Sequence, residues 1–172
     1  MIETPRLRLL PVTPAGFDAL LPGDATGLAA FLRTAVAPDW LNFDETRDAI
    51  PYAAQYLNDH PDALGWWSYF FIYQPTNTLI GLGGYAGPPT PDGSVEIGYS
   101  VAPSYQGQGL ATELIQGLVD FAFTDSRITH VQAHTLPGPN ASTRVLEKTG
   151  FIRQTDIIDP DAGPIWAWIS RP

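Results

Sequence analysis

Val95-Glu96-Ile97-Gly98-Tyr99-Ser100-Val101, then Ala102-Pro103-Ser104-Tyr105, then Gln106-Gly107-Gln108-Gly109-Leu110-Ala111-Thr112, is the stretch whose reading decides the fold. Its first seven residues alternate, with Val95, Ile97, Tyr99 and Val101 on one face of a strand and Glu96, Gly98 and Ser100 on the other. Leu110, Leu114, Leu118 and Phe121 then recur at helical spacing up to about Asp125. A strand therefore feeds a glycine loop that opens a helix. Such a loop presents unpaired backbone N–H groups together with the positive end of a helix dipole, which makes an anion site. Glycines at 107 and 109 let the chain reach positive φ and keep Cβ atoms away from a phosphate, and Thr112 adds a hydroxyl. The segment is not a P-loop, because no Gly-Lys-Ser/Thr follows. It also lacks the third glycine of a dinucleotide fingerprint. Gly81-Leu82-Gly83-Gly84-Tyr85-Ala86 satisfies that fingerprint loosely, but prolines rather than a helix come after it.

Working outward, Trp66 to Tyr73 is an aromatic strand, Pro75-Thr76-Asn77 a turn, and Leu79 to Tyr85 its glycine-rich partner. Toward the N-terminus, Arg6 to Leu10 alternates as a strand and stops at Pro11. Thr13-Pro14 then caps a short helix over Ala15 to Leu21. Leu28, Phe31 and Leu32 mark a second helix, and Tyr52, Tyr56 and Leu57 a third that ends near His60-Pro61. Toward the C-terminus, Ile128 to His134 reads as a strand and Asn140 to Thr149 as a helix stopped by Gly150. Phe151 to Ile158 and Ile165 to Ile169 read as a closing strand pair. No repeat and no internal boundary interrupts this order, so residues 1–172 are expected to form one domain.

Composition narrows the function classes. The 172 residues hold 9 Lys+Arg against 18 Asp+Glu, a net charge of −9, with no cysteine, which excludes disulfide scaffolds, zinc ribbons and thiol enzymes. No window reaches the ~18 apolar residues of a membrane span, and Glu3, Arg6 and Arg8 replace a leader's apolar core, so a cytoplasmic address is expected. With a pI near 4.5 and scattered basic residues, nucleic acid is not an expected partner. His130 and His134 lie four apart, but on a strand that spacing separates them by roughly 13 Å, so no metal site is expected. Trp40, Trp66, Trp67, Tyr69 and Phe70 read as core rather than as a binding pocket.

Gln106-Gly107-Gln108-Gly109-Leu110-Ala111 after Val-Glu-Ile-Gly-Tyr-Ser-Val resembles the acyl-CoA signature Q/R-x-x-G-x-G/A of the GNAT superfamily of N-acetyltransferases. Asn140-Ala141-Ser142-Thr143-Arg144-Val145-Leu146-Glu147-Lys148-Thr149-Gly150-Phe151 resembles that family's later helix, which starts at Asn and ends in Gly-Phe. Thr4-Pro5-Arg6-Leu7-Arg8-Leu9 is similar to the first strand of the ribosomal-protein N-terminal acetyltransferase-like (RimJ/RimL-type) subgroup. The resemblance implies an α/β fold. Its sheet would be mixed, mostly antiparallel and of six to seven strands, splayed after the fourth, with helices on both faces.

It further implies acetyl-CoA as acyl donor without a metal, its pantetheine along Tyr99 to Val101 and its pyrophosphate on Gln106, Gly107, Gln108, Gly109, Leu110, Ala111 and Thr112. Asn140 would bond the pantetheine or cap its helix. The acceptor would be a primary amine, on a small molecule or at a peptide or protein N-terminus, and a homodimer is compatible with the family. An alkyl amine with a pKa of about 10 must lose a proton before attack. Glu96, the lone carboxylate on its strand, takes the general-base position. The backbone N–H of Val101 or its neighbour takes the oxyanion position. Many relatives use a tyrosine as acid where this chain has Leu146. The subgroup uses a serine, placed at Ser142 by counting back from Gly150 and at Thr143 by counting forward from Asn140. The missing tyrosine keeps a non-catalytic acyl-CoA sensor as the alternative. A nucleotide-binding α/β domain would need helices between successive parallel strands, which the hairpin and the closing strand pair disfavour.

Overall fold

The computed structural model describes residues 1–41, 44–160 and 162–172. The central sheet is built from β1 (Ile2–Glu3), β2 (Leu7–Pro11), β3 (Ala35–Val36), β4 (Ser68–Tyr73), β5 (Thr78–Tyr85), β6 (Ser94–Val101), β7 (His130–Thr135), β8 (Ile152–Asp159) and β9 (Gly163–Ser170). The helices α1 (Pro14–Leu20), α2 (Ala25–Leu32), α3 (Asp44–Asp59), α4 (Leu110–Ala122) and α5 (Ala141–Lys148) cover it. The spatial order is β1-β2-β4-β5-β6-β7-β9-β8, with β3 paired to β5 off that path. All neighbours are antiparallel except β6 with β7 and β3 with β5. The architecture expected from the sequence is present, but among the described residues the sheet has nine strands rather than six or seven. The additional β1 and β3 are two residues each, too short to leave a periodic trace.

Each face of the sheet carries its own core. Leu114, Ile115 and Leu118 of α4 and Leu146 of α5 pack with Ile97, Val101 and Val131 on one side. Phe17, Leu28, Ile50 and Leu57 of α1 to α3 pack with Phe70, Ile72 and Leu82 on the other. The central strands therefore bury both faces, which explains why Tyr69 to Ile72 reads as a continuous apolar run instead of alternating. Glycines at 81 and 83 serve this packing and not a nucleotide: a Cβ on Gly83 would stand 2.3 Å from the carbonyl oxygen of Gly98.

Glu113, in the first turn of α4, anchors the N-terminal strands to this layer. Its carboxylate accepts from the Thr4 hydroxyl, the Arg6 N–H and Arg6 Nε, each at 2.6 Å. Burial pushes the Glu113 pKa up, but these donors outweigh it and hold the carboxyl below its usual value. A depressed folded-state pKa gives stability that is present above the unfolded pKa of about 4.3 and is lost as pH falls through the folded value. Glu113→Gln is therefore expected to cost about 1–3 kcal/mol at pH 7, since its NH₂ would face donors. The gap from the parent should narrow from pH 7 to pH 3, and urea midpoints at the two pH values check this. An equal gap at both would contradict it.

Candidate active site

The strand pair β6/β7 positions everything in the site. Their parallel ladder covers only Ser94–Ile97 against His130–Ala133, and beyond it the strands part. On its other side β6 pairs with β5 through to Val101, in the register Gly83↔Tyr99 and Gly81↔Val101. Ala86 N–H bonds Glu96 C=O and Ala102 N–H bonds Ile80 C=O, so the even-numbered residues of β6 bond toward β5. The N–H groups of Tyr99 and Val101 then point away from β5, into the opening that β7 has vacated. The Val101 carbonyl accepts from Gln106 Nε2 at 2.9 Å, which ties the strand end to the loop.

The loop has the geometry of an anion cradle. Gly107 and Gly109 hold φ of 73° and 76°, a left-handed backbone open to glycine at little cost. No side chain among the described residues caps α4, so the N–H groups of its first turn face outward. Two braces hold the loop. Arg6 Nη1 donates to the Gln108 carbonyl at 3.0 Å, while Asp39 accepts from Ser104 N–H and Oγ at 2.8 and 2.7 Å. The Ser104 hydroxyl and N–H draw the Asp39 pKa below its usual value. Neither brace was visible in the sequence, because each joins residues more than sixty positions apart.

A cavity of about 830 Å³ runs from this loop into the opening. Of the residues expected to hold the cofactor, Tyr99, Val101, Gln106, Gly107, Gly109, Leu110, Ala111, Thr112 and Asn140 line it, as does Ser142. Gln108 is the exception: its side chain turns back to the Ser104 carbonyl, so it supports the loop from behind. Arg144 and Lys148 of α5 also line the cavity, and no carboxylate does among the described residues. In a chain with twice as many acids as bases, that local sign inversion favours an anionic ligand.

The two candidate hydroxyls separate cleanly. Thr143 is 2 % exposed and closes the helix cap: it accepts from Asn140 N–H at 2.9 Å and donates to the Asn140 carbonyl at 3.0 Å. Ser142 lines the cavity beside Tyr99. Burial pushes the Tyr99 phenol up and the Ser142 hydroxyl draws it part of the way back, although the phenol closes no hydrogen bond of normal geometry. The Asn140 amide is engaged locally, accepting from Thr143 N–H and donating to the Leu136 and Gly138 carbonyls, so it shapes the wall rather than reaching across it. Leu146 is 1 % exposed in the core.

Glu96 stands where β6 and β7 part, on the face opposite Val95 and Ile97 and outside the cavity wall. Its Oε1 meets Nδ1 of His134 at 2.9 Å and its Oε2 accepts from Gln132 Nε2 at 3.3 Å. His134 itself lines the cavity. The sequence reading considered this histidine only as a metal ligand. Among the described residues no group of three metal-binding side chains occurs.

A recess of about 310 Å³ opens on the Glu96 face, between Thr46, Ala49, Ile50 and Ala53 of α3 and Ser68, Leu82, Gly83, Gly98, Tyr99 and Ser100 of the sheet. It shares Thr46, Tyr99 and Ser100 with the larger cavity. The 87–93 loop takes no part in it. Gly93 instead accepts from Thr129 N–H at 2.8 Å and lies against the start of β7.

The splayed β6/β7 pair, with a free strand edge that runs into an uncapped helix start, makes a site for an extended ligand with an anionic end. The model of the acetyltransferase (GNAT) domain matches residues 6–152, and the chain belongs to that family. Enzymes of the family take acetyl-CoA as substrate. The uncharacterized N-acetyltransferase YjdG of Bacillus subtilis is 28% identical over 152 residues, covering 88% of this chain and 89% of that protein. An aminoglycoside N(6')-acetyltransferase type 1 of Klebsiella pneumoniae is 35% identical over 63 residues, 37% of this chain and 31% of that protein. The fold matches that of a ribosomal L7/L12 alpha-N-protein acetyltransferase in complex with coenzyme A. The TM-score is 0.67 at 18% identity, over 98% of this chain and 95% of the other. No helix among the described residues is long and apolar enough to cross a membrane.

Proposed function

We propose that the chain moves the acetyl group of acetyl-CoA to a primary amine by direct attack, with Glu96 as general base and Ser142 as the proton donor to the departing thiolate. The observation that carries this reading is the continuous donor track from the Tyr99 and Val101 N–H groups to the open first turn of α4. A pantetheine arm laid along the free edge of β6 extends the sheet as an added strand would, and a pyrophosphate ends on the amides of Gly107 to Thr112. That pose brings the thioester carbonyl to the Val101 N–H, which is aimed at the oxyanion formed when the amine adds. Arg144 and Lys148 supply the positive charge that the rest of the acidic chain lacks.

The acceptor enters from the Glu96 face through the 310 Å³ recess, so that its nitrogen meets the acetyl carbon between Gly98 and Ser100. A small-molecule amine or a peptide N-terminus fits that route. The opening strand's likeness to the RimJ/RimL-type subgroup favours the N-terminus, whereas the aminoglycoside relative favours the small molecule. Incubation with acetyl-CoA and a panel of both, followed by free thiol, tests the reading. Acceptor-dependent thiol release supports it. Tight CoA binding without release from any amine would instead make the chain a sensor that holds the coenzyme.

A further inference from the structure

We infer that His134, and not Glu96 alone, receives the proton of the acceptor amine, the two side chains working as one base with His134 Nε2 as its contact atom. This rests on the acetyltransferase reading and deepens it. Three observations carry it. Glu96 is engaged on both oxygens, by His134 Nδ1 at 2.9 Å and by Gln132 Nε2 at 3.3 Å. Glu96 is absent from the cavity wall while His134 forms part of it. The pair also sits where the β6/β7 ladder ends: Ile97↔Ala133 is its last rung and His134 is the next residue on β7.

The hydrogen bond assigns the tautomer. A carboxylate only accepts, so Nδ1 carries the hydrogen and the neutral ring keeps its lone pair on Nε2. No hydrogen bond among the described residues engages Nε2. The acceptor ammonium first gives one proton to solvent, and as the neutral nitrogen then bonds to the acetyl carbon, the Val101 N–H holds the oxyanion. Nε2 takes one N–H proton from the now cationic nitrogen, and Glu96 balances the imidazolium. Collapse of the intermediate breaks the carbon–sulfur bond, and Ser142 passes a proton to the leaving thiolate, recovering one from solvent. Base and carboxylate thus divide the work as a histidine and its orienting acid do in hydrolase triads. The ionisable groups near His134 are Glu96 on β6 and the Tyr99, Arg144 and Lys148 that line the same cavity, with His130 roughly 13 Å along its own strand and Ala167 as the β9 neighbour.

The test compares His134→Gln, His134→Ala and Glu96→Gln with the parent in the thiol assay, with CoA affinity measured by calorimetry as a check on folding. His134→Gln should lower kcat by about 10²-fold or more, with the KM for acetyl-CoA within a few fold. The limb of the kcat/KM profile that reports the base should move or vanish, and added imidazole should restore turnover to His134→Ala. The double variant with Glu96→Gln should lose no more than the worse single one, because the pair acts as a unit. Parent-like turnover in His134→Gln, beside a collapsed Glu96→Gln, would overturn the inference and leave Glu96 as the direct base. Failure of the parent to release thiol with any amine would overturn the acetyltransferase reading itself, and the inference with it.

Discussion

Glu96→Gln is expected to cost about 10²–10⁴-fold in kcat, the range that a general base contributes, because Glu96 is one half of the Glu96–His134 base. The same variant should leave CoA affinity within a few fold, because Glu96 lies outside the cavity that would hold the coenzyme. Glutamine keeps the volume and two polar atoms, so it can still meet His134 and Gln132 and should fold. It cannot balance an imidazolium, however, and it allows the histidine to take the wrong tautomer. Steady-state rates and a CoA titration on one preparation check both halves. A variant with intact kcat and weakened coenzyme binding would place Glu96 in a different role.

The second large effect is expected at Val101, where the proposed oxyanion donor is a backbone group that side-chain replacement does not remove. Val101→Pro deletes the N–H, and the strand tolerates the change for a specific reason. Residue 101 stands in a non-hydrogen-bonded pair with Gly81, so no ladder bond to β5 is lost. Ser100, which precedes it, is already extended, as a residue before proline prefers. Loss of one oxyanion donor typically costs about 10²–10³-fold in kcat. The expected result is that loss, with the far-UV spectrum and thermal midpoint close to the parent's. A folded Val101→Pro protein with parent turnover would move the oxyanion site elsewhere.

Much of this was legible in the linear sequence, and the exceptions share one physical cause. The β6–loop–α4 unit is local: alternation, two glycines and a 3.6-residue apolar period lie within thirty residues, and each element formed within a residue or two of its expected bounds, apart from the end of α4, which falls at Ala122. The Thr13 and Asn140 caps are local too. What escaped depends on pairings between distant segments. His134 meets Glu96 only because Gln132 aligns with Glu96 in a parallel ladder, and that register is set by core packing thirty-six residues away. Gln108 was placed among the binding residues by its position in the signature, and sequence spacing carries no information on which way a loop side chain turns. Sequence counting left Ser142 and Thr143 one residue apart as candidates, and burial distinguishes their settings: the Thr143 hydroxyl closes the capping box and Ser142 remains on the cavity.

The acetyltransferase reading rests on the main-chain cradle between Gln106 and Thr112, and two aspartates test it most directly. A Cβ on Gly107 meets nothing within 4 Å, and one on Gly109 meets only Arg6 Nη2 at 3.6 Å. Asp also enters the left-handed region more readily than most residues, so Gly107→Asp with Gly109→Asp should fold. Two carboxylates in the cradle would then face a diphosphate across a few ångströms. Calorimetric titration of the double variant with CoA should show affinity lowered by at least about tenfold, or about 1.4 kcal/mol. Affinity within about threefold of the parent, roughly 0.6 kcal/mol, in a folded double variant would contradict the account, because no diphosphate could then be resting on those amides.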